Sequence, residues 1–384
     1  MKILHLCLSC FYIDGYAYQE NQLISEHVSS GHDVQVLAST ESFDKEGKLI
    51  YLQAGTYMGT DGAMVTRLPY RFNAIPSFAR KLRSYEGLMD CLEHIKPEVI
   101  IFHGLCAWDL LTVAKYSHEN ASVKLHADSH EDFNNSARSF FSKWGLHYCI
   151  YRQVLRRCLP KIQSILCIST ETMDFVHEMY GVPRDRLEYF PLGGQLFEDE
   201  KYFELRKSTR EKMQWKNKDR VFLQSGKIDA AKRLDHTLEA FRRLKNPHAK
   251  LIIAGLLMPE VRDSLEPQLK SDPRITYLGW VTPEHLRQLL CGADVYVQPG
   301  SQSATMQMAL CSRRPVILDD VPSHRALVTD NGILVNSKDQ LASAFSRLCA
   351  MPMEELQGMS DRSEEVAVRW LDYRQQALRL LRPH

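Results

Sequence analysis

The chain has 384 residues, a length that fits two domains of ordinary size better than a single core. Charged residues make up 25% of the sequence and hydrophobic residues 44%, which excludes a largely disordered chain. The formal net charge of +1 gives no overall attraction to nucleic acid, so no nucleic-acid partner is expected.

The first residues, MKILHLCLSCFY, predict a buried strand rather than a signal peptide, because the apolar run is brief and no small-residue cleavage site follows it. No apolar run approaches the roughly 20 residues that span a bilayer, so any membrane contact is expected to be peripheral. Ten scattered cysteines are typical of free thiols in a reducing compartment, which predicts a cytoplasmic protein. Cys7 and Cys10 form a C-x-x-C that we interpret as structural.

In the first half of the chain, apolar runs alternate with helical stretches. The run KILHLCL precedes a predicted helix from about Tyr18 to Ser30, and Gly31 then leads into the strand DVQVLAST. Further strands are predicted at PEVIIFHG, ASVKLHAD, SILCIST and LEYFPLGG, with a helix from Thr172 to Tyr180 before the last of them. This β-α-β alternation is typical of a doubly wound parallel sheet, and it predicts a first domain over residues 1–195.

From Gln195 to Arg220 the chain is charged and aromatic, which predicts a linker and a lead-in helix. The α/β alternation then restarts in a second domain over residues 196–364. Its predicted strands are RVFLQSG, AKLIIAGL, RITYLGW, ADVYVQPG, PVILDD and GILV, and its predicted helices are Leu234–Leu244, Pro283–Cys291 and Ala304–Ser312. The sequence SEEVAVRWLDYRQQALRLL predicts one long last helix.

The segment SGKIDAAKRLD lies directly after an apolar strand and before a helix. Gly226 lets the backbone approach an anion closely, and Lys227 and Lys232 can converge on that anion at the carboxyl edge of the sheet. A diphosphate is the ligand that suits this arrangement. The alternative is a basic loop that only faces solvent.

A second loop between a strand and a helix is rich in short polar side chains. Amides at a helix N-terminus, with hydroxyl groups beside them, form a cradle for phosphate or sugar. The residues of this loop are Ser301, Gln302, Ser303, Ala304 and Thr305. Helix capping needs only one such hydroxyl and therefore explains only part of the loop.

The segment SGKIDAAKRLDHTLEAF resembles the G-R-x-x-x-x-K-G-x-D segment of glycosyltransferase family 4, with Lys227 and Lys232 at the two basic positions. The chain also contains the motifs GHDV, CIST, GVPxDR, ITYLGW and ADVYVQPG, and they occur along the chain in the same order as in the family. The resemblance implies the GT-B architecture of two Rossmann-like domains that face each other across a cleft. It places the acceptor in the first domain and the nucleotide-sugar donor in the second, with the helix of about residues 365–384 crossing back to the first domain. Base-binding residues are expected at Gly279, Trp280 and Val281.

One departure from the family concerns a pair of glutamates, because Gly300 and Met308 stand where the family carries them. The loop instead resembles a branch with P-G-[ST]-Q-S-A-T, which is found among capsule and lipopolysaccharide enzymes. Gln307 is a candidate for the ribose contact, although it lies one residue, or about 100° of helix, from the family position.

In the first half, LHADSHED closes a predicted strand with several titratable groups. Asp128 and His130 are candidates to orient or deprotonate the acceptor hydroxyl, with Lys232 completing the catalytic set on the donor side. His103 and Asn134 are candidate acceptor contacts. A set of polar residues that only caps the loop remains the alternative.

The loop after the first strand occupies the place of the family's glycine loop. Gly15 and Tyr16 are expected near the donor phosphates, whereas Tyr18, Gln19 and Asn21 are expected to contact the acceptor. A simple turn followed by a helix start explains these residues nearly as well.

We predict no metal and no cofactor besides the nucleotide-sugar co-substrate, because two lysines already neutralise the diphosphate. The segments Arg67–Tyr85 and Phe140–Lys161 combine basic and aromatic residues, which suits either an anionic membrane surface or ordinary domain helices.

The sequence therefore predicts a glycosyltransferase that moves a sugar from a nucleotide donor such as UDP-sugar to an acceptor hydroxyl. The resemblance implies retention of configuration and a glycan or lipid-linked acceptor of bacterial capsule, O-antigen or lipopolysaccharide synthesis, at the inner face of the membrane. Two alternatives remain open: a nucleotide-sugar epimerase or hydrolase of the same fold, and a non-catalytic nucleotide-binding partner of another transferase.

Overall fold

The computed structural model of the protein describes residues 1–44, 48–72, 76–300 and 304–382. The chain divides into two compact units, which are Met1–Pro191 with Tyr373–His384 (unit 1) and Leu192–Asp372 (unit 2). Each unit contains a parallel sheet with helices between its strands, which confirms the prediction of two Rossmann-like α/β halves. The roles of the two units stay predictions.

Unit 1 is built on an eight-stranded sheet in the order β10-β9-β8-β7-β1-β2-β6-β5. Its strands are β1 (Lys2–Cys7), β2 (Asp33–Ser39), β5 (Gly55–Met58), β6 (Met64–Leu68), β7 (Val99–Phe102), β8 (Lys124–Ser129), β9 (Ser164–Cys167) and β10 (Leu187–Tyr189). Only β5 runs antiparallel to its neighbour, and β3 (Glu41–Phe43) and β4 (Leu49–Tyr51) form a separate antiparallel pair. The central strands are continuous apolar runs because both faces of the sheet are covered.

Helices cover both faces of this sheet. They are α1 (Gln19–Ser29), α2 (Pro76–Leu82), α3 (Leu88–Ile95), α4 (Leu110–Glu119), α5 (Arg152–Cys158) and α6 (Thr170–Phe175), with π-helical segments at Phe141–Tyr151 and Val176–Tyr180 and 3₁₀ turns at Leu159–Lys161 and Arg184–Arg186. Alternate residues of β7 enter different cores, Ile100 and Phe102 one core and Val99 and Ile101 the other. This period of two is the signature of a strand between two packed layers.

Unit 2 has a six-stranded sheet in the order β13-β12-β11-β14-β15-β16, and every pair in it is parallel. Its strands are β11 (Arg220–Ser225), β12 (Ala249–Ala254), β13 (Ile275–Gly279), β14 (Val295–Gln298), β15 (Val316–Asp319) and β16 (Gly332–Val335). Its helices are α7 (Asp199–Lys212), α8 (Leu234–Arg242), α9 (Pro259–Lys270), α10 (Pro283–Gly292), α11 (Ala304–Cys311), α12 (Pro322–Arg325), α13 (Lys338–Ala350) and α14 (Met353–Trp370), with a 3₁₀ turn at Ala230–Lys232. Phe222, Phe241 and Phe345 contact one another edge to face in its core.

The predicted single last helix is wrong in one respect, because the structure has two helices there. After α14, the N–H groups of Leu371 and Asp372 both donate to the Ala367 carbonyl, and Gly194 N–H donates to the Leu371 carbonyl. The first of these bonds spans four residues and is the last regular bond of α14, whereas the Asp372 bond spans five residues and ends the helical pattern. The next helix, α15 (Tyr373–Leu381), begins as part of unit 1. Across the described ranges, no helix is long and apolar enough to cross a membrane.

In each sheet there is one point at which the direction of strand addition reverses. In unit 1 the chain proceeds outward from β1 in one direction and from β7 in the other, and in unit 2 the same happens at β11 and β14. Connections that diverge from two adjacent parallel strands leave a crevice at their carboxyl ends, where open α/β sheets bind their ligands. The predicted lysine loop follows β11. Asp128 lies near the carboxyl end of β8, which is the strand next to β7.

Candidate functional site

Glycines bring three loops of unit 2 into close contact at the carboxyl ends of β11, β12 and β13. Gly226 has φ +123° and Gly255 has φ +158°, and a Cβ on Gly255 would overlap the Gly226 carbonyl. Gly226 N–H donates to Ala254 O over 3.1 Å, and Gly255 N–H donates to Gly279 O over 2.7 Å. The positive φ values and the close backbone approach explain why glycine stands at these positions.

The loop after β14 packs directly on the turn that carries Lys232. A Cβ on Gly300 would overlap the Ala231 carbonyl and lie 2.9 Å from the Cα of Lys232. A Cβ on Gly226 would lie 3.7 Å from the hydroxyl oxygen of Thr305. The two loops that the sequence assigned to one anion site are therefore neighbours in space.

Lys232 lies in a tightly held turn. The Asp229 carboxylate accepts a hydrogen bond from Lys232 N–H over 3.1 Å, and the Gln224 amide donates to the Lys232 carbonyl over 3.0 Å. Arg233, at φ +48°, donates to Pro299 O and to the Asp319 carboxylate, both over 3.1 Å. Burial lowers the pKa of the Lys232 ammonium, an effect that the Asp229 carboxylate opposes. An anion beside this amine would strengthen its charged form.

A cavity of about 340 Å³ opens beside the first lysine of the loop. It is lined by Gly226, Lys227, Ala254, Gly255, Leu256, Trp280, Val281 and Leu286. The Trp280 side chain is 67% exposed, which leaves an indole face available to a planar ligand. The structure thus joins the predicted phosphate residues Gly226 and Lys227 with the predicted base residues Trp280 and Val281 in one cavity, and Gly279 supports it through its bond to Gly255.

The loop residues Ser301, Gln302 and Ser303, predicted to cradle phosphate or sugar, lie outside the described residues. Ala304 is exposed at the start of α11, and Thr305 is half-buried next to it. Gln307, on the same helix, has a buried amide oxygen without a hydrogen-bond partner among the described residues. A buried acceptor of this kind suits a ligand hydroxyl.

In unit 1, Asp128 is the centre of a buried polar cluster at the carboxyl ends of β1, β7 and β8. One carboxylate oxygen lies 2.6 Å from His103 Nδ1, and the other accepts from Gly104 N–H over 2.7 Å. His130 Nε2 lies 3.8 Å from the second oxygen, and the His130 ring is 41% exposed. His130 is therefore the member of this group that solvent and a ligand can reach.

Asp128 and His103 form a buried ion pair. Burial opposes the charge on His103, but Asp128, Cys7 and Glu20 outweigh it and raise the pKa of the imidazole to about 9. Burial also opposes the charge on Asp128, and His103 and His130 outweigh it so that its pKa lies below the ordinary value. The carboxylate and the imidazolium each stabilise the charge of the other.

Glu20 joins this cluster and was missed by the sequence reasoning. It is 8% exposed in the first turn of α1. Burial raises the pKa of its carboxyl, while the charges of His103 and His130 oppose that rise. The available signal was a glutamate at the start of the helix that follows β1, at the sheet's reversal point, where a carboxylate also gains from the helix dipole.

The loop from Gly15 to Asn21 divides into exposed and buried parts. Gly15, at φ +76°, Tyr16 and Tyr18 are exposed, and the two tyrosine rings lie 5.5 Å apart. Gln19 and Asn21 are buried, with amides that donate to Pro191 O and Ile13 O, both over 3.1 Å. The tyrosines are accessible to a ligand, whereas Gln19 and Asn21 support the loop from behind.

Asn134 is exposed in a turn organised by Asp132, whose carboxylate accepts from the N–H groups of Asn134 and Asn135 over 2.7 and 2.8 Å. The Asn135 side chain donates to the His130 carbonyl over 2.9 Å. This turn therefore fixes the backbone at His130. Within the described ranges, no group of three His, Cys, Asp or Glu residues is placed to hold a metal ion. Metal independence stays a prediction.

Two family models match the chain. One, described as Glycosyltransferase Family 4, matches residues 19–193, and the other, described as Glycosyl transferases group 1, matches residues 219–351. No curated protein sequence matches the chain.

Solved structures with the same fold cover nearly the whole chain. Sucrose-phosphate synthase from Thermosynechococcus elongatus is 14% identical, with 99% of this chain and 97% of that chain covered and a TM-score of 0.65. HepE from Anabaena, solved with UDP, is 14% identical over 99% and 98% of the two chains with a TM-score of 0.67. WaaG, a glycosyltransferase involved in lipopolysaccharide biosynthesis, is 13% identical over 99% and 98% with a TM-score of 0.57.

Proposed function

The chain is a glycosyltransferase with the GT-B fold, and from this premise we propose that it transfers a sugar from a nucleoside diphosphate sugar bound by unit 2 to an acceptor hydroxyl bound by unit 1. The observation that carries the proposal is the cavity in which Gly226 and Lys227 meet Trp280 and Val281. A nucleoside diphosphate has an anionic end and an aromatic end, and this cavity offers a partner to each.

In the proposed reaction, Lys227 and Lys232 stabilise the negative charge that builds on the departing diphosphate. The amides at the start of α11 add fixed dipoles that favour the same charge. Lys232 is suited to this role because it is buried and rigidly held, so its charge is screened little by water. No metal is required in this scheme, and the glycosyl group keeps its anomeric configuration.

On the acceptor side, we assign the orientation of the hydroxyl to Asp128 through the exposed His130. The Asp128 carboxylate is held by His103 and Gly104, which fixes the oxygen that faces His130. Tyr16 and Tyr18 offer exposed rings and hydroxyl groups to the sugar or acceptor. Glu20 adds a buried carboxyl, and burial raises its pKa above the ordinary value.

UDP is the proposed nucleotide, supported by HepE, whose structures were solved with UDP and with UDP-glucose. In this chain the Trp280 indole would stack on the base. The amide oxygen of Gln307, which has no hydrogen-bond partner among the described residues, would accept a hydrogen bond from a ribose hydroxyl.

Replacing Trp280 with alanine is expected to weaken UDP binding about tenfold, because stacking on an aromatic side chain contributes about 1–3 kcal/mol per base. Isothermal titration calorimetry with UDP measures this change. Trp108→Ala is the control, because Trp108 is also exposed, at 44%, but belongs to unit 1. If the wild-type chain binds no UDP, or if both variants bind it as well as the wild type, the assignment of the cavity is wrong. Donor consumption without acceptor would instead indicate an epimerase or hydrolase.

We further propose a lipid-linked acceptor and peripheral contact with an anionic membrane. Phe140 and Phe141, which are 73% and 84% exposed, lie at the start of the π-helical segment Phe141–Tyr151, and Trp144 within that segment is also exposed. Lys143 lies beside the Trp144 ring, and Arg156 and Arg157 follow on α5. Exposed aromatic rings flanked by basic residues suit the interface of an anionic bilayer. In the other predicted segment, Arg67–Tyr85, residues 73–75 lie outside the described residues.

The double variant Phe140→Ser, Phe141→Ser is expected to lose about tenfold in partitioning to phosphatidylglycerol vesicles, because each phenylalanine contributes about 1.5–3 kcal/mol on full burial and an interface buries only part of it. Vesicle flotation measures the bound fraction, with neutral phosphatidylcholine vesicles as the lipid comparison. Phe203→Ser, at an equally apolar and 57% exposed position of unit 2, serves as the control. Equal flotation of wild type and double variant would contradict the membrane proposal.

A further inference from the structure

Three buried histidines form a continuous row of hydrogen bonds behind Asp128. His103 Nε2 lies 2.9 Å from His5 Nδ1, and His5 Nε2 lies 3.0 Å from His27 Nδ1. The row begins at the Asp128 carboxylate, 2.6 Å from His103 Nδ1, and ends at the Ala377 carbonyl, 3.0 Å from His27 Nε2. His5, His27 and His103 are at most 3% exposed, so water does not compete for these bonds.

The two ends of the row determine the direction of every bond in it. A carbonyl oxygen can only accept, so His27 Nε2 must donate to Ala377. When His27 is neutral its Nδ1 accepts, and His5 Nε2 must therefore donate to it. His5 in its neutral form then accepts at Nδ1 from His103 Nε2. His103 carries a second hydrogen on the Nδ1 that faces Asp128, so the row holds one positive charge next to one carboxylate.

A second arrangement satisfies the same bonds if His27 carries the positive charge. In that case His5 and His103 are neutral with their hydrogens on Nδ1, so that His27 donates to His5 and His5 donates to His103. The surroundings disfavour it. Burial, followed by the charges of the neighbouring rings, lowers the pKa of His5 well below its ordinary value, and burial lowers the pKa of His27 to about 4 even though the Ala377 bond opposes this. The other titratable groups facing the row are Cys7 and Glu20 next to His103 and His32 next to His27.

We propose that His5 and His27 are positioning residues, which act with the Ala377 carbonyl to keep His103 donating to Asp128. His5 supplies the acceptor for the second N–H of His103, and His27 supplies the acceptor that fixes His5 in the required tautomer. Through the Ala377 carbonyl, helix α15 fixes the direction of the hydrogen bonds along the whole row, up to the Asp128 carboxylate at its other end. The inference rests on the proposed role of Asp128 in acceptor orientation, and it assigns a part to two histidines and a terminal helix that the sequence motifs leave out.

Nitrogen NMR of the wild-type protein labelled with ¹⁵N-histidine tests the row without any assay of activity. At pH 7 we expect His5 and His27 to be neutral with hydrogen on Nε2, and His103 to carry hydrogen on both nitrogens. A positive charge on His27, or hydrogen on Nδ1 of neutral His5 or His27, would overturn the inference.

Two substitutions of His5 test its effect on the reaction. Asparagine keeps an oxygen near the position of Nδ1 and can accept from His103, whereas leucine of similar size cannot. We expect His5→Leu to lose about tenfold in kcat/KM, the value of one charge-assisted hydrogen bond, with the alkaline limb of the pH profile displaced to lower pH. His5→Asn should remain close to the wild type in both respects.

A merely structural role for His5 would instead lower the activity of both variants in proportion to their loss of thermal stability, with an unchanged pH profile, and that result would reject the proposal. If neither variant folds, the tautomers of the wild type decide. A chain that shows the expected tautomers but transfers no sugar would count against the proposed function and not against the row, whereas active protein with other tautomers would count against the row alone.

Discussion

Replacing Lys232 with alanine is expected to lower kcat about a hundredfold, the typical cost of removing one preorganised group that stabilises charge in a transition state. Lys232 is 6% exposed and lies in a turn fixed by Asp229 and Gln224, so its charge is screened little by water. The affinity for UDP should fall about tenfold, because a charge-assisted bond to the ground-state diphosphate is also lost. Steady-state kinetics and calorimetry measure the two effects separately.

Lys218→Ala is the matched control for this substitution. It removes the same charge from an exposed position of unit 2 that precedes β11, at the opposite edge of the sheet from the lysine loop. Its kcat and UDP affinity should equal those of the wild type. A Lys232→Ala variant that retains full kcat would show that Lys232 does not stabilise the leaving group, and a loss of UDP affinity with unchanged kcat would limit its role to ground-state binding.

The parallel strands of both sheets, apart from β6 (Met64–Leu68), were predictable because they are short, largely apolar runs. KILHLC and RVFLQS are buried along nearly their full length, and such runs between helical segments favour parallel sheets. The region between β2 and β7 was not predicted. Strands such as Gly55–Met58 are largely exposed, so their sequence lacks both the continuous run and a clear alternation. The break between α14 and α15 escaped prediction because the residues there carry no glycine or proline that would mark a helix end.

The close approach of the loops in the candidate phosphate site was predictable from local sequence, because a glycine directly after a buried strand indicates a close backbone approach. Gly226 illustrates this, and the structure places both Gly226 and Lys232 at the sheet's reversal point. Phosphate binding by these loops stays a prediction. Burial was not predictable in the loop after β1. Gln19 and Glu20 are adjacent polar residues, and only the packing of α1 decides that the first bonds Pro191 while the second joins the Asp128 cluster.

The histidine row was also beyond the sequence. His5, His27 and His103 are widely separated along the chain and lie on a strand, a helix and a strand end, and no spacing rule links them. Each taken alone resembles an ordinary buried histidine. Their connection depends on the register of β1 beside β7, which pairs His5 with Ile101 and brings His103 just beyond it.

Replacing Asp128 with asparagine is expected to lower kcat/KM about a hundredfold while leaving the affinity for UDP unchanged, because Asp128 belongs to unit 1 and the proposed nucleotide cavity belongs to unit 2. The amide keeps the shape of the carboxylate but cannot stabilise the charge of His103. Asp90→Asn, at an exposed position on α3, removes the same charge elsewhere in unit 1 and should leave both quantities unchanged.

The same variant has an expected signature in stability against pH. The pKa of His103 is about 9 in the folded chain against an ordinary value of 6.5, so its pairing stabilises the fold fully below about pH 6.5, and this contribution is lost as the pH rises through 9. The pKa of Asp128 is lowered, so its own contribution is present above its ordinary value of 3.8 and is lost only as the pH falls below it. Both contributions are therefore present together between about pH 4 and pH 6.5.

In Asp128→Asn, the free energy of unfolding near pH 6 should fall by up to about 3 kcal/mol, since removing one partner of a buried pair leaves the other uncompensated unless it gives up its proton. The difference from the wild type should shrink as the pH approaches 9, where His103 is losing its proton in the wild type as well. Urea unfolding at pH 6, 7.5 and 9 measures this trend. A constant difference across these values would mean that His103 is not charged beside Asp128, and the acceptor site would then have to be assigned without that ion pair.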